Sequence, residues 1–267
     1  LKDASTTAIY GIKGANGVLV VKTRRGEDGA PRINVRLESG MQTPVRTPNF
    51  LGSYETAQLV NEAYLNDGIS PIHTDADLEH FRTGDDPYGH PDVNWYDEIF
   101  KKVAMQANAN VDVSGGTDRL KYFVSVGYFM QNGLVRNFGS ANADVNSNYL
   151  YRRFNYRSNI DFQVTNNLSM RLDITSRFMN INEPYNLNAT GQIYSWEEMH
   201  PYSSPVINPD GSWAYLYDTS GRRPTLNARL ANQGYRRTRR NDNNLLYSAN
   251  WKMDFITKGL SSNIRVA

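Results

Sequence analysis

The chain has 267 residues, 29 Lys plus Arg against 27 Asp plus Glu, a formal net charge of +2 and no cysteine. So balanced a charge carries no polyanion signature, and nucleic acid is not an expected partner; the missing cysteines exclude disulfides and thiolate-bound zinc. The longest unbroken aliphatic stretch is Val18 to Val21. A membrane helix needs ~20 apolar residues, so only β-strands of about 9–11 residues, polar at alternate positions, could cross a bilayer here.

Residues 1–26 differ from the rest. Ala8-Ile9-Tyr10-Gly11 leads through Gly14-Ala15-Asn16-Gly17 into Val18-Leu19-Val20-Val21, which predicts a short helix, a Gly-Asn turn and a strand buried on both faces. Gly11, Gly14 and Gly17 have the wrong spacing for a dinucleotide loop and precede the strand, so a tight turn is expected. The chain begins Leu1-Lys2-Asp3 without Met, and the expectation is that an N-terminal sequence has been cut away. Glu27-Asp28-Gly29-Ala30-Pro31 reads as a turn-forming linker.

Strict alternation follows. Ile33, Val35 and Leu37 share one face against Asn34, Arg36 and Glu38. Ser53 is the expected N-cap of a helix carrying Ala57, Val60, Ala63 and Tyr64 at helical spacing, with Gly68 as its stop. Residues 69–100, rich in Asp, Pro and Gly, are expected to be loop-like. From Met105 the alternation returns: Met105 to Val113, Tyr122 to Met130, Phe154 to Val164, Leu168 to Phe178 and Leu245 to Phe255 each place apolar residues on one face. Leu260, Ile264 and Val266 start a further strand. Turns are expected at 115–118, 165–167 and 257–259, and long loops at 132–148 and 180–241. Arg236, Arg237, Arg239 and Arg240 fall in the last of these and are expected to be solvated loop residues rather than a phosphate site.

Strands that alternate for nine to eleven positions, with Arg157, Asp161, Arg171 and Asp173 in mid-strand, are longer than the ~5–6 residues usual in soluble sheets. Alternation alone is shared by a soluble sandwich and a membrane barrel. The sorting of connections into short and long is what favours the barrel, whose short turns are periplasmic and whose long loops are extracellular. The short turns are therefore expected on the periplasmic side, and 43–104, 132–148 and 180–241 outside. The 17 Tyr suit interfacial girdles.

These features resemble a known family. Leu1-Lys2-Asp3-Ala4-Ser5-Thr6-Thr7-Ala8-Ile9-Tyr10-Gly11 with Gly14-Ala15-Asn16-Gly17-Val18 resembles the end of the plug of SusC/RagA-type TonB-dependent outer-membrane transporters of Bacteroidota. Val113-Ser114-Gly115-Gly116-Thr117-Asp118, Gly127-Tyr128-Phe129-Met130-Gln131-Asn132-Gly133, Arg153-Phe154-Asn155-Tyr156-Arg157-Ser158-Asn159 and Asn208-Pro209-Asp210-Gly211 are similar to its early barrel. The resemblance implies an all-β fold with short helices. Residues 1–26 would be the C-terminal end of a plug domain, and 27–267 the first part of a transmembrane antiparallel β-barrel. It also implies a cell outer-membrane location in contact with lipid, import of oligosaccharide or peptide cargo, a SusD-like lipoprotein partner, and coupling to the TonB complex through a region missing from this chain. A secreted or surface carbohydrate-binding β-protein without transport activity is the alternative.

No nucleophile elbow is present, so no enzyme activity and no cofactor are expected. His73, His80, His90 and His200 lack metal-ligand spacing, and Asp85, Asp86 and Asp92 are expected to be a solvated turn rather than a calcium loop. The candidate contacts for cargo or partner are aromatic residues in the outer loops: Trp95 and Tyr96 in one, and Trp196, Tyr202, Trp213, Tyr215 and Tyr217 in another. Their large rigid faces stack on sugar rings or anchor a protein surface.

Overall fold

A computed structural model of the chain describes residues 19, 23–138, 148–185, 191, 200–218 and 221–267. Most of the plug-like stretch, with its Gly11-Gly14-Gly17 turn, and Trp196 lie outside the described residues. In chain order the elements are β1 (Gly29–Gln42), α1 (Ser53–Asn66), α2 (Asp75–Thr83), α3 (Trp95–Ile99), β2 (Ala104–Gly116), β3 (Leu120–Asn132), β4 (Leu150–Gln163), β5 (Leu168–Pro184), β6 (Tyr215–Asp218), β7 (Gly221–Pro224), α4 (Leu226–Asn232), β8 (Tyr235–Lys252) and β9 (Ser261–Val266).

Seven strands form one antiparallel sheet in the order β1-β2-β3-β4-β5-β8-β9; β6 and β7 make a separate hairpin. The sheet stays open, with β1 and β9 at its edges. Each strand pairs with its neighbour in sequence, apart from the hairpin inserted between β5 and β8, as expected of a meander whose turns are local. All connections at one end are short: 117–119, 164–167 and 253–260. Those at the other end are long: 43–103, 133–149 and 185–234. The alternation of loop lengths read from the sequence is therefore physical.

Four local expectations change. The stretch 69–100 holds two helices. At α2, Thr74 and Asp77 form a reciprocal capping box, and Gly84 ends the helix at φ +67°; the Thr-x-x-Asp pattern was the available signal. At α3, the Asn94 side chain accepts from the Asp97 N–H at 3.2 Å. Ser53 is not the N-cap of α1: Gly52 is. The Ser53 N–H donates to Asp92 Oδ1 at 2.8 Å and its hydroxyl to the Pro91 carbonyl at 2.7 Å, so a carboxylate from a distant loop satisfies the exposed helix end. Finally, β5 and β8 run on to Pro184 and back from Tyr235. Arg236, Arg237, Arg239 and Arg240 are thus strand residues, not loop. The sequence there is polar on both faces, so alternation fades, and pairing of 17 successive positions with β5 supplies the order instead. The other end is shorter than expected, because β8 stops at Lys252 before Phe255.

The long connections pack into a cap with its own small core. Ile99, Val135, Leu226 and Leu230 are buried together, with Tyr96, Phe100, Phe138 and Tyr149 against them. One residue or more comes from each of the three connections. Backbone bonds sew them together: Lys101 N–H to Leu134 O at 2.6 Å, Arg136 N–H to Ile99 O at 2.8 Å and Val93 N–H to Pro201 O at 3.0 Å. The Asn208-Pro209-Asp210-Gly211 turn forms as read, with the Gly211 N–H on the Asn208 carbonyl at 2.9 Å and φ +81° at Gly211.

Because Leu226 is fully buried in this cluster, Leu226→Ala should destabilise the cap by about 2–5 kcal/mol. Hydrogen exchange should show amides of 95–101 and 226–232 opening, while those of β3 to β5 keep their protection.

Candidate functional site

The register keeps one parity of side chains on one face throughout the sheet. Val111 pairs with Val126, Val126 with Tyr156, Ile160 with Leu172, Leu172 with Tyr247, and Tyr247 with Val266. The result is a continuous apolar face, and it is bare. Ile33, Val35 and Leu37 are 70%, 58% and 74% exposed, and Phe154, Phe178, Leu245, Trp251 and Ile264 also belong to the exposed large hydrophobics. A contiguous apolar area of this extent marks a surface that meets protein or lipid.

The opposite face is polar and cross-linked. Gln42 donates to Gln106 at 2.9 Å and accepts from Gln131 at 3.2 Å; Asn108 donates to Glu38 at 2.8 Å and accepts from Asn110 at 3.2 Å. Arg153 lies over the Phe129 ring at 5.3 Å. On this face, not on the apolar one, rests the segment preceding β1. Arg25 Nη1 donates to both oxygens of Asp161 at 3.0 Å, and Nη2 to both oxygens of Asp173 at 2.9 and 2.6 Å. The two carboxylates stand diagonally on adjacent strands, two residues out of register and so on the same face, and one planar guanidinium spans both. Arg171 adds a bond to Asp161 at 2.7 Å, Asn159 donates to the Arg24 carbonyl at 2.6 Å, and Lys121 pairs with Asp28 at 3.1 Å. Gly26 is buried against the wall: a Cβ there would run into the backbone of Tyr122 and the Gly115 carbonyl. The segment is thus fixed by charge on one side and by backbone proximity on the other.

The aromatic candidates divide by exposure. Trp95 is buried, with its indole N–H donating to the His200 carbonyl at 3.0 Å. Tyr202 stacks on His200 and meets the edges of His73 and, tilted, Phe81. These contacts bring the Trp95 loop and the Tyr202 loop together. Tyr96 packs on Phe100 in the cap core, and Trp213 is half-buried with its ring edge near Phe138. Tyr215 is 48% exposed, with the Arg222 guanidinium 5.5 Å over its ring. Tyr217 lies in β6, paired with Arg222.

His80 and His90, which the sequence leaves without metal-ligand spacing, and Asp85 and Asp86, expected in a solvated turn, form a clasp with Asp77 between α2 and the loop behind it. His90 reaches Asp77 at 3.0 Å through Nε2 and Asp86 at 2.9 Å through Nδ1, and His80 stacks on the His90 ring while holding Asp85 at 2.8 Å. Asp85 and Asp86 are therefore engaged by imidazoles and Asp92 by the start of α1. The hydrogen bonds to Asp77 and Asp86 hold the His90 pKa above its ordinary value. Burial pushes those of His73 and His200 down.

No family model matches the chain. The chain is 32% identical over 177 residues to the TonB-dependent receptor P3 of Formosa agariphila, covering 65% of this chain and 14% of that protein. It is 27% identical over 224 residues to the TonB-dependent receptor SusC of Bacteroides thetaiotaomicron, covering 83% of this chain and 20% of that protein. The chain thus spans a fifth or less of the length of these curated relatives. Its fold matches the solved RagAB peptide importer in a closed-closed state with a TM-score of 0.69 at 20% identity, over 99% of this chain and 31% of that one. A second structure, of the RagAB peptide transporter, gives 0.66 at 19% identity over 94% of this chain and 30% of that one. The resemblance to SusC- and RagA-type TonB-dependent transporters is shown in sequence and in fold, and the fold class is an antiparallel all-β wall with short helices.

Two outcomes follow from the geometry. Replacing Arg25 by Ala removes four charge-assisted hydrogen bonds, worth roughly 1.5–3 kcal/mol after solvent screening of a partly exposed group. Hydrogen exchange at 23–28 should then rise while β4 and β5 stay protected, and Gly26→Ala should have the same effect for a steric reason. The clasp has a pH signature. A histidine whose pKa is raised on folding stabilises below its ordinary value of 6.5, and that contribution is lost as pH climbs through the raised value. Asp77 and Asp86 are lowered, so their contribution persists until pH falls below the ordinary 3.8 and through the depressed values. Protection of amides 75–92, corrected for intrinsic exchange, should therefore weaken on the alkaline side of 6.5, and His90→Gln should remove that dependence.

Proposed function

We propose, from a chain that resembles SusC- and RagA-type TonB-dependent transporters in sequence and in fold, that it forms the end of a plug and the first part of a barrel wall in an outer-membrane nutrient importer. In this reading residues 1–26 close the plug and 27–267 begin the barrel. The observation that carries it is the side on which Arg24, Arg25 and Gly26 rest. They lie on the polar face, clamped by Asp161 and Asp173, while the apolar face is left bare over seven strands. A plug must sit inside and lipid must lie outside, so the polar face is the lumen and the apolar face the lipid contact. Seven strands are about a third of the ~22 in a plugged outer-membrane transporter, in keeping with coverage of 31% of the RagAB chain. An open sheet edge is not tolerated in hydrocarbon, so β1 and β9 would pair with strands of the same wall.

The cap formed by the long connections would then face outward, towards a SusD-like lipoprotein and the incoming oligosaccharide or peptide; energy would come from the TonB complex acting on the plug. Within the cap, Trp95, Tyr96 and Tyr202 hold the loops together, and Trp213 and Tyr215 offer the ring faces for cargo or lid. A soluble carbohydrate-binding protein would have no use for so extensive a bare apolar face, which favours transport.

Single cysteines at Asn137 and Asn166 of the full-length protein, both exposed, test the orientation. A membrane-impermeant thiol reagent on intact cells should label position 137 and leave 166 unlabelled. The reverse pattern would invert the wall, and equal labelling of both would remove it from the membrane. Trp213→Ala with Tyr215→Ala, at matched surface abundance, should lower cargo uptake or lipoprotein co-purification; if neither moves, the pair is structural.

A further inference from the structure

The apolar face is not uniform along its height. Its parity can be followed row by row. Tyr128, Phe154, Phe178 and Asn241 form one row, and Met130, Arg152, Asn180 and Arg239 the next towards the cap; Asn132, Leu150, Asn182 and Arg237 come after it. In the seven-stranded sheet this parity carries no Asp or Glu, and its charged residues are Arg152, Arg237 and Arg239, all in those two rows. All three are exposed, and none has a carboxylate partner among the described residues. Their neighbours of opposite parity do: Arg236 is held by Glu183 at 2.7 Å and Arg240 by Asp242 at 3.0 Å. Arg237 lies 5.0 Å over the Tyr235 ring. Three unpaired cations therefore cluster on the one face that otherwise excludes charge.

Their height is informative. From Trp251 to Arg239 is twelve residues of β8. At ~3.3 Å per residue and the ~40° tilt of a barrel strand, that is about 30 Å along the membrane normal, the thickness of a hydrocarbon core. With Trp251 at the interface on the short-turn side, the arginine rows stand at headgroup level on the cap side. Arginine on a lipid-facing wall costs ~2–4 kcal/mol at mid-membrane but close to nothing there.

The rows also enclose a notch of about 340 Å³, lined by Tyr128, Phe154 and Phe178 below and by Arg152, Asn180 and Arg239 above, with Asn241 and the adjoining Arg153, Met179 and Arg240 completing it. Its floor is apolar and its rim cationic. We infer that this notch binds an anionic lipid of the outer leaflet that carries a phosphomonoester: Arg152 and Arg239, with Arg237 beside them, take the headgroup phosphate through their guanidinium forks, the Asn180 amide is a further donor at the rim, and an acyl chain lies on the Phe154–Phe178 pair. A free anion would gain nothing from the aromatic floor, and a neutral lipid would leave the three cations unpaired. The site rests on the reading of the sheet as a lipid-facing wall.

The test uses the full-length protein in phosphatidylcholine nanodiscs containing one-tenth lipid A, either bisphosphorylated or dephosphorylated, with retained lipid counted by native mass spectrometry. The wild type should retain the phosphorylated form preferentially. The R152Q/R237Q/R239Q variant should lose that preference, by roughly fivefold per arginine near a charged surface. Lysine at the three positions should keep part of it, which separates loss of charge from loss of fold. R32Q/R36Q/R236Q, three arginines of the polar parity that do not line the notch, should retain lipid as the wild type does; an equal loss there would reduce the effect to net charge and overturn the site. Displacement by millimolar inorganic phosphate would make it a free-anion site and also overturn it. Protein that does not insert would overturn the wall reading and the site with it, whereas protein that inserts and retains both lipids alike would overturn the site alone.

Discussion

A β-strand has a side-chain period of two, and a slip of one residue in any pairing exchanges its two faces. Here six successive pairings hold parity without a slip, the single irregularity lying at Gly29/Arg32 beside the start of β1. Everything else depends on that. It makes the apolar face continuous from Ile33 to Val266, it puts Asp161 and Asp173 on the same side within reach of one guanidinium, and it sorts the arginines of β8 into a set paired with carboxylates on the polar face and a set without carboxylate partners, among the described residues, on the apolar face. Register is strongly specified when one face must leave water, and the wall is such a case: a slipped β4 would turn Arg153, Arg157 and Asp161 outward and strand Phe154 and Ile160 among amides.

The Arg25 fork gives the wall its inner partner. Asp161 and Asp173 are acidic neighbours across a strand pair, an arrangement that repels unless a cation lies between them. Arg171 answers only Asp161. Arg25 answers both, and Gly26 then lets the chain lie close on Tyr122 and Gly115 before it turns into β1. The electrostatics of two strands thus select the residue pair Arg-Gly at the junction, and the segment entering the wall has one seat.

Much of this was legible in the sequence because the pattern is one-dimensional. The faces of β2 to β5, the tight connection at 165–167 and the sorting of short and long loops need only local alternation and turn residues. What was hidden depends on distant partners. The ends of β5 and β8 nearest the cap are polar on both faces, so Asn180 to Pro184 and Tyr235 to Asn241 read as loop; they are strand because each supplies the other's backbone bonds. Gly52 displaced Ser53 as N-cap because Asp92, 39 residues on, caps the helix from outside. The helices α2 and α3 were obscured by Asp and Gly counts, although Thr74-x-x-Asp77 and Asn94 before Trp95 carried their start signals. Nor did spacing along the chain show that His80 and His90 would stack; their rings meet only because α2 ends at Gly84 and the chain doubles back.

The long strands also explain why one chain can carry a bare apolar face and a folded cap. At ~3.3 Å per residue, β5 and β8 are some 55–60 Å long, more than a tilted strand needs to cross hydrocarbon. The surplus rises beyond the arginine rows as a polar ladder, and the cap is hung from it: the Tyr185 N–H bonds to the Gly234 carbonyl at 3.2 Å across the top of β5 and β8, and α4 follows from the β6–β7 hairpin just inside. Because the ladder is stiff and closed by backbone bonds, the cap core around Ile99 and Leu226 is held at a fixed height above the apolar band. Aromatic residues then take their roles from level. Trp251 and Phe178 lie at the two margins of the band, Trp95 and Tyr202 stand where two of the long connections are joined, and Tyr215 is carried on a hairpin edge that leaves half of its surface open. Composition could say that the chain is rich in Tyr and Trp; only the register, read as height, separates the rings of the apolar face from those that join loops and those left open on the hairpin.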